Sequence, residues 1–122
     1  MKLEIVNKLI GYFPNLKEEI EVSLKDFDDI YLHLIFGDIF NPYFLELLDD
    51  PQKNKVELIC ASELIEYMSK SDISTQEVVV TTVLERLSDS PEKLSVFNKI
   101  AGEQTRKFIG DLTANIREAS CL

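Results

Sequence analysis

The side chains with the greatest capacity for chemistry in this chain are carboxylates and a single histidine, His33. Two carboxylate pairs, Glu46 with Asp49 and Glu63 with Glu66, have the i, i+3 spacing that places both groups on one side of a helix. Because Mg²⁺ prefers oxygen ligands, these pairs predict one alternative function, a magnesium-dependent all-helical nucleotide hydrolase. No cluster of basic residues accompanies the pairs to hold phosphates.

Glu63 is also a candidate general acid or base. With residues placed at about 100° steps, it falls on the apolar arc of Val56, Cys60 and Tyr67. Burial among apolar neighbours raises the pKa of a carboxyl group, but such a Glu more often reaches the rim or meets a donor. His33 also has two interpretations, a satisfied core histidine or a group with a catalytic or pH-sensing role.

The more specific motifs for metal binding and catalysis are incomplete or absent. Asp26, Asp28 and Asp29 begin like a calcium-binding loop, but the sixth position holds Tyr31 and the twelfth holds Gly37, in place of the required Gly and Glu. No Gly-rich phosphate loop and no Ser-His-Asp or Cys-His arrangement stands out. The sequence therefore predicts no metal, no cofactor and no catalytic site.

The cysteines and the N-terminus bear on location. Cys60 and Cys121 lie far apart in the sequence and are predicted to be free thiols in a reducing compartment. The N-terminal stretch "MKLEIVNKLIGYFP" contains polar residues among apolar ones and has no small-residue cleavage site, so it predicts neither a signal peptide nor a spanning helix. We expect a cytoplasmic protein.

The net charge of −9 is unevenly distributed along the chain. Residues 18–50 contain ten acidic residues against Lys25 alone, so this segment carries the whole imbalance. The ten are Glu18, Glu19, Glu21, Asp26, Asp28, Asp29, Asp38, Glu46, Asp49 and Asp50. Such a field repels phosphates and anionic lipids and accelerates association with a basic partner, which argues against nucleic-acid and membrane-surface binding. Acids that only maintain solubility are the open alternative.

The apolar spacing is helical almost throughout, and 122 residues suffice for one domain, 1–122, around one core. The first two helices are predicted along Leu3, Val6, Leu9, Ile10 and Phe13, and along Leu16, Ile20, Leu24 and Phe27. Pro14 sets the start of the second. Residues 30–36 are apolar except at His33, which predicts a helix buried on every side. We expect an all-α fold of about six or seven short helices, either a bundle or a short HEAT-like stack of helical hairpins.

The stretch "HLIFGDIFNPYF", residues 33–44, is predicted to be a joint between two helices. Gly37 suits the left-handed position just past a helix end, and Asp38 or Asn41 suits the next N-cap, with Pro42 following as the first helical residue if Asn41 is the cap. The aromatic residues are Phe36, Phe40, Tyr43 and Phe44. They either all pack inside, or some are exposed as an anchor beside acidic residues, a composition typical of interface hot spots.

Beyond Pro51 the chain is predicted to form two helical hairpins. "PQKNKVELICASE" from Pro51 and "PEKLSVFNKIAGE" from Pro91 share five residue types at an offset of 40, a period typical of HEAT repeats. Ser74 and Glu77 have the spacing of a capping box. The last helix is predicted to carry an apolar stripe of Phe108, Leu112, Ile116 and Ala119.

Three stretches carry a family resemblance: "LHLIFGDIFNPYFLELLDD", "VVVTTVLERL" and "KIAGEQTRKFIGDL". Over most of its length the chain resembles a family of small acidic all-helical bacterial proteins of unknown function, which is similar to the immunity proteins of polymorphic toxin systems. The resemblance implies a protein that neutralises a toxin, and it supplies no catalytic residues.

We therefore predict a non-catalytic protein-binding module whose acidic, aromatic N-terminal half captures a basic protein partner, such as a toxin neutralised by occlusion. The predicted partner-binding residues are Asp26, Asp28, Asp29, Asp38, Phe40, Tyr43, Asp49 and Asp50. The aspartates would speed encounter, and a buried aromatic would slow release. The alternatives are the magnesium-dependent hydrolase and a self-associating helical scaffold.

Overall fold

The structure, a computed structural model, describes residues 2–26 and 29–121, and the side chains of this part up to residue 114. In these residues the chain forms seven helices and no strand, which confirms the all-α prediction. The helices are α1 (Lys2–Tyr12), α2 (Lys17–Asp26), α3 (32–49), α4 (Lys55–Ser69), α5 (73–88), α6 (Pro91–Ile100) and α7 (Glu103–Cys121). Pro14 opens a 3₁₀ turn, Pro14–Leu16, that leads into α2.

Helix α3 is continuous, so the predicted joint at Gly37 is wrong. Its middle, Phe36–Phe40, is a π-helical turn in which the amide of Asn41 donates to the carbonyl of Phe36, five residues earlier. Gly37 is helical, and no glycine in the described part of the chain has a positive φ.

The predicted N-caps at this joint are wrong for the same reason. Asp38 and Asn41 lie inside α3, and neither begins a helix. A proline ring inside an α-helix clashes with the carbonyl four residues earlier, which for Pro42 is that of Asp38. The wider π turn lies directly before Pro42 and accommodates the ring without ending the helix.

A row of phenylalanines on the buried side of α3 forms the centre of the core. The ring centroids of Phe36 and Phe40 are 5.3 Å apart, and those of Phe40 and Phe44 are 5.1 Å apart. Phe13, after α1, lies 6.1 Å from Phe40, and Phe97 of α6 lies 5.1 Å from Phe44. A π turn holds more residues than an α turn, so side chains spaced by four stay in line and join α1, α3 and α6.

The start of α3 is buried on one side only, contrary to prediction. Leu32 and Ile35 are buried, whereas His33 and Leu34 are exposed. His33 is therefore not a core histidine. It lies at the surface, where its Nδ1 is 2.5 Å from the hydroxyl oxygen of Thr82.

Helix α5 also contains a π-helical turn, Val78–Leu84. The predicted capping box of Ser74 and Glu77 is wrong, because Asp72 is the N-cap and its carboxylate accepts the amide of Thr75 at 2.9 Å. This aspartate places α5 two residues earlier than expected. The π turns of α3 and α5 pack against each other.

The two proline-led segments are not structurally equivalent. Pro51 lies in the turn between α3 and α4, whereas Pro91 is the first residue of α6. Val56 is 71% exposed, while its counterpart Val96 is half-buried. The sequence match at an offset of 40 therefore does not correspond to a structural repeat.

The last helix packs through part of its predicted stripe. Phe108 and Leu112 contact the core, and Ile109 beside them is buried. Cys60 of α4 is a half-buried free thiol. The predictions for four further side chains lie outside the described residues or side chains: Phe27, Ile116, Ala119 and Cys121.

Candidate functional site

The structure brings together only part of the predicted partner-binding set. Asp26, at the end of α2, and Asp38, in the π turn of α3, line one groove between these helices. This acidic groove is lined by Glu18, Glu19, Val22, Ser23, Asp26, Asp38 and Ile39. Glu18 and Glu19 lie in the first turn of α2, one turn before Val22 and two before Asp26, so helical spacing places these residues along one face.

The groove is lined by both acidic and apolar side chains. Its volume is about 430 Å³, and its described lining contains four carboxylates and no lysine or arginine. Val22 is 55% exposed although it is apolar, and Ile39 beside it is half-buried. Within the described part of the chain, no side chain forms a hydrogen bond or ion pair with these four carboxylates. The groove therefore combines unneutralised negative charge with accessible apolar surface.

Three of the other predicted aspartates, Asp29, Asp49 and Asp50, lie outside the groove and have partners in the fold. Asp29 accepts the amide of Ile30 at 2.7 Å and lies 3.5 Å from the ammonium of Lys2. The Ile30 amide, and then the Lys2 charge, hold the pKa of Asp29 below its ordinary value. Asp28 lies outside the described residues.

The pair at the end of α3 is separate from the groove. Asp49 lies 2.8 Å from the ammonium of Lys93 in α6. Asp50 accepts the amide of Lys53 at 3.3 Å and belongs to the turn before α4. Asp49 therefore has a partner at the α3–α6 edge, and Asp50 has one in the turn between α3 and α4.

The predicted aromatic anchors are not free for a partner. Phe40 is 0% exposed, so its assignment to a partner-binding surface is wrong: the π turn directs it into the core. Tyr43 is half-buried, and its ring packs edge-on against Phe13 with centroids 5.4 Å apart. Val22 and Ile39 take the place that the aromatics had in the prediction.

A second cleft, the polar cleft, lies where the two π turns meet. It is lined by Gly37, Asp38 and Asn41 of α3, and by Thr81, Thr82 and Glu85 of α5, and it continues along the last turn of α5. Its volume is about 680 Å³. The side-chain amide of Asn41 donates to the carbonyl of Thr82 at 3.0 Å and ties the two turns together. Asp38 lines both, so the polar cleft and the acidic groove are adjacent.

The carboxylate pair Glu63 and Glu66 does not converge on one point. Glu63 is exposed and lies at the rim of the apolar arc, the more common of its two interpretations, and it is not a buried general acid or base. Its neighbour is Tyr12, whose pKa is raised by burial and then by the charge and hydrogen bond of Glu63. Helix α4 buries the opposite face, which includes Leu58, Ala61, Leu64, Ile65 and Met68.

Glu66 instead caps helix α7 from outside. Its carboxylate accepts the backbone amides of Gln104 at 3.1 Å and Thr105 at 2.9 Å, and the Thr105 hydroxyl at 2.8 Å. Lys70 lies 3.4 Å away. Burial opposes ionisation of this carboxyl group, but the hydrogen bonds outweigh it and hold the pKa of Glu66 below its ordinary value.

The described residues offer no group of three or more His, Cys, Asp or Glu side chains arranged to hold a metal ion. In the same part of the chain, every helix is too short or too polar to cross a membrane.

The sequence signal for the groove was the i, i+4, i+8 series Glu18, Val22 and Asp26, which our prediction did not single out. The polar cleft had a fainter signal, the Thr81-Thr82 pair within an apolar run.

Comparison with known proteins gives one family. The family model described as Domain of unknown function (DUF7674) matches residues 6–115, and the chain belongs to this family. No curated protein and no solved structure matches the chain.

Proposed function

We propose that this member of the DUF7674 family is a non-catalytic protein-binding module whose acidic groove holds a basic, amphipathic segment of another protein. One observation carries the proposal: the lining of the groove combines carboxylates, no described cation, and accessible apolar side chains. A segment that carries both lysine or arginine and an apolar side chain matches this lining in charge and polarity.

The two components of the groove have different roles in binding. The carboxylates of Glu18, Glu19, Asp26 and Asp38 attract a basic partner over a distance and orient it, which raises the association rate at low salt. Val22 and Ile39 gain free energy only when the partner covers them, so they slow dissociation. Charge therefore selects the partner, and apolar burial retains it.

The proposed partner is a basic toxin that is neutralised when this protein covers part of its surface. Support comes from the resemblance to immunity proteins and from the concentration of acidic residues in residues 18–50. Occlusion needs surface complementarity and no reaction, which fits a site whose carboxylates face a groove without a metal-binding cluster among the described residues.

The proposal is tested by affinity capture from the source cells at low and high salt, followed by binding measurements on the purified partner. The test variant is the triple substitution Glu18→Gln, Glu19→Gln, Asp26→Asn. The control is the triple substitution Glu77→Gln, Glu92→Gln, Glu103→Gln, which makes the same charge change at exposed residues outside the groove and includes first-turn positions of α6 and α7.

We expect one basic protein to be retained by the wild type and by the control, and lost by the groove variant. Equal retention by both variants would contradict the groove assignment. Retention of no protein by the wild type, combined with a dimeric or larger molar mass in solution, would favour the self-associating scaffold.

Rate measurements on the purified partner separate the two components of the groove. Val22→Ala removes accessible apolar surface from a residue that is not in the core, so we expect a faster dissociation rate with an almost unchanged association rate. Neutralising the acids should lower the association rate and its dependence on salt. Wild-type kinetics of the Val22→Ala variant would show that this apolar side chain does not contribute to partner binding.

A further inference from the structure

The described lining of the polar cleft contains three hydroxyl groups; two of them already donate within α5, and the third, that of Thr82, lies 2.5 Å from Nδ1 of His33. The hydroxyl of Thr81 donates to the carbonyl of Glu77 at 2.7 Å, and that of Ser88 donates to the carbonyl of Glu85 at 2.6 Å. A hydroxyl that has donated its proton still has oxygen lone pairs. Both side chains therefore present acceptors to whatever enters the cleft.

The charged groups of the cleft give it a net negative charge. The guanidinium of Arg86 donates to the carboxylate of Asp89 at 3.0 Å, just past the end of α5. Asp38 and Glu85 have no ion pair or hydrogen bond to their carboxylates from a described side chain. Arg86 and Asp89 offset each other in charge, so the cleft retains two negative charges, those of Asp38 and Glu85.

Asn41 adds a buried acceptor that lacks a partner. The residue is only 5% exposed and lines the cleft, and its Nδ2 group donates to the Thr82 carbonyl. This hydrogen bond fixes the orientation of the amide and leaves Oδ1 buried without a donor among the described residues. An unpaired buried acceptor costs about 1–3 kcal/mol, so a donor supplied from outside gains free energy there.

We infer that the polar cleft binds the guanidinium group of an arginine side chain from the basic partner, an inference that rests on the proposed function. The ligand must be cationic and rich in donors, because the carboxylates of Asp38 and Glu85 and the amide oxygen of Asn41 all accept. A guanidinium carries five N–H donors in one plane and no acceptor, which matches several separated acceptors better than an ammonium does.

The position of the cleft connects this arginine to the rest of the partner. Asp38 lines both the polar cleft and the acidic groove, so a segment lying in the groove has the cleft beside it. A single long side chain can turn from the groove into the cleft and place its charged end beside Glu85. Arginine is enriched among the residues that dominate interface energies, and this cleft provides a partly enclosed place for one.

The inference is tested by NMR titration of the full-length protein with N-acetyl-arginine amide, using N-acetyl-citrulline amide as the uncharged control of the same shape. We expect saturable shifts of the Gly37 backbone amide and the Asn41 side-chain amide with the arginine compound, and much smaller shifts with citrulline. Glu85→Gln is the test variant, because Glu85 is exposed and lies outside the acidic groove, whereas Asn41 ties two helices together and its replacement perturbs the fold. Glu19→Gln is the matched control, since it makes the same change in the groove alone.

We expect Glu85→Gln to lower the affinity for both the arginine compound and the purified partner, the latter about tenfold. Glu19→Gln should leave the affinity for the arginine compound unchanged. No shift at Gly37 and Asn41, with the partner still lost by the groove variant, would overturn this inference and leave the proposed function standing. Equal responses to arginine and citrulline would overturn it as well. Binding of the arginine compound without any effect of Glu85→Gln on the partner would show that the cleft takes a free guanidinium compound, and the assignment to a partner side chain would be wrong.

Discussion

The carboxylate of Glu66 and the carboxylates of the acidic groove have opposite environments within one small protein. Glu66 is 16% exposed, and its two oxygens accept three hydrogen bonds from the start of α7. Glu18, Glu19, Asp26 and Asp38 are exposed, and within the described residues they have no hydrogen-bond or ion-pair partner. The Glu66 carboxylate is therefore bound within the fold, whereas the groove carboxylates are unpaired among the described residues.

The α4–α7 junction explains why a carboxylate is needed there. The carbonyl of Gly102 accepts the amide of Arg106 at 2.9 Å, so Gly102 is the N-cap of α7 and has no side chain to cap the helix. Glu66 of α4 supplies the missing acceptor and places its negative charge at the positive end of the helix dipole. The absence of a side chain at Gly102 also makes room for it, since an added Cβ would overlap the Glu66 carboxylate.

The contrast shows how to separate structural charge from binding charge. A carboxylate whose lone pairs are filled by its own chain contributes to stability and has little left for a partner. A carboxylate with no internal partner contributes little to stability and keeps its field for another molecule. Variants at the two places should therefore affect different measurements.

The largest effect is expected from Glu66→Ala. The substitution leaves the Gln104 and Thr105 amides without their acceptor, and we expect a loss of about 1–3 kcal/mol in the free energy of unfolding. Urea denaturation measures it as a lower midpoint at an unchanged slope. Glu46→Ala on the exposed face of α3, where no described side chain forms a hydrogen bond or ion pair with the Glu46 carboxylate, is the control and should change the free energy of unfolding by about 0.5 kcal/mol or less. Equal losses from both variants would remove the distinction.

Gly102→Ala should disrupt the same junction from the other side. The added methyl group displaces the Glu66 carboxylate, so we expect a loss of about 1–2 kcal/mol, comparable with the removal of a helix cap. Gly110→Ala is the matched control, because a Cβ at that position in α7 meets no atom within 4 Å. There we expect a gain of about 0.5–1 kcal/mol from better helix propensity. Thermal denaturation of the two variants should shift in opposite directions.

Acid should weaken the junction through Glu66. Its folded pKa is lower than its unfolded pKa, so the unfolded chain binds more protons as the pH falls through this range. Its contribution to stability is complete above the unfolded pKa, about 4.3, and disappears as the pH falls through the folded pKa. The loss of stability between neutral and acidic pH should be smaller in Glu66→Gln than in the wild type. The pKa values of Asp29 and Asp72 are lowered in both proteins, so their contributions to the acid response cancel in the comparison. Equal losses in the two proteins would remove Glu66 from the acid response.

The sequence predicted the helices well because their apolar spacing is strong. It predicted the joint at Gly37 wrongly, because glycine and Asn-Pro usually end helices and a π turn has no distinct signature in a single sequence. That error also affected the site. A helix break at Gly37 made exposure of Phe40 plausible, whereas the continuous helix turns Phe40 into the core.

The sequence predicted the charge of the candidate site but not its geometry. The groove lies within residues 18–50, the segment with the excess of acids. Which acids share a surface depends on how α2 packs beside the π turn of α3, and this is a tertiary contact that helical spacing does not encode. The cap by Glu66 was hidden for the same reason, because its partners lie 38 and 39 residues away.

The smallest effect on stability is expected from the groove variant Glu18→Gln, Glu19→Gln, Asp26→Asn. Glu18 and Glu19 lie at the start of α2, where negative charge interacts favourably with the helix dipole, and Asp26 lies at its end, where the interaction is unfavourable. Neutralising all three also removes repulsion from Asp38 across the groove. These contributions oppose each other, so the free energy of unfolding should stay within about 0.5 kcal/mol of the wild type while partner binding is lost. A loss as large as that of Glu66→Ala would mean that the groove acids stabilise the fold, and their role in binding would then need another explanation.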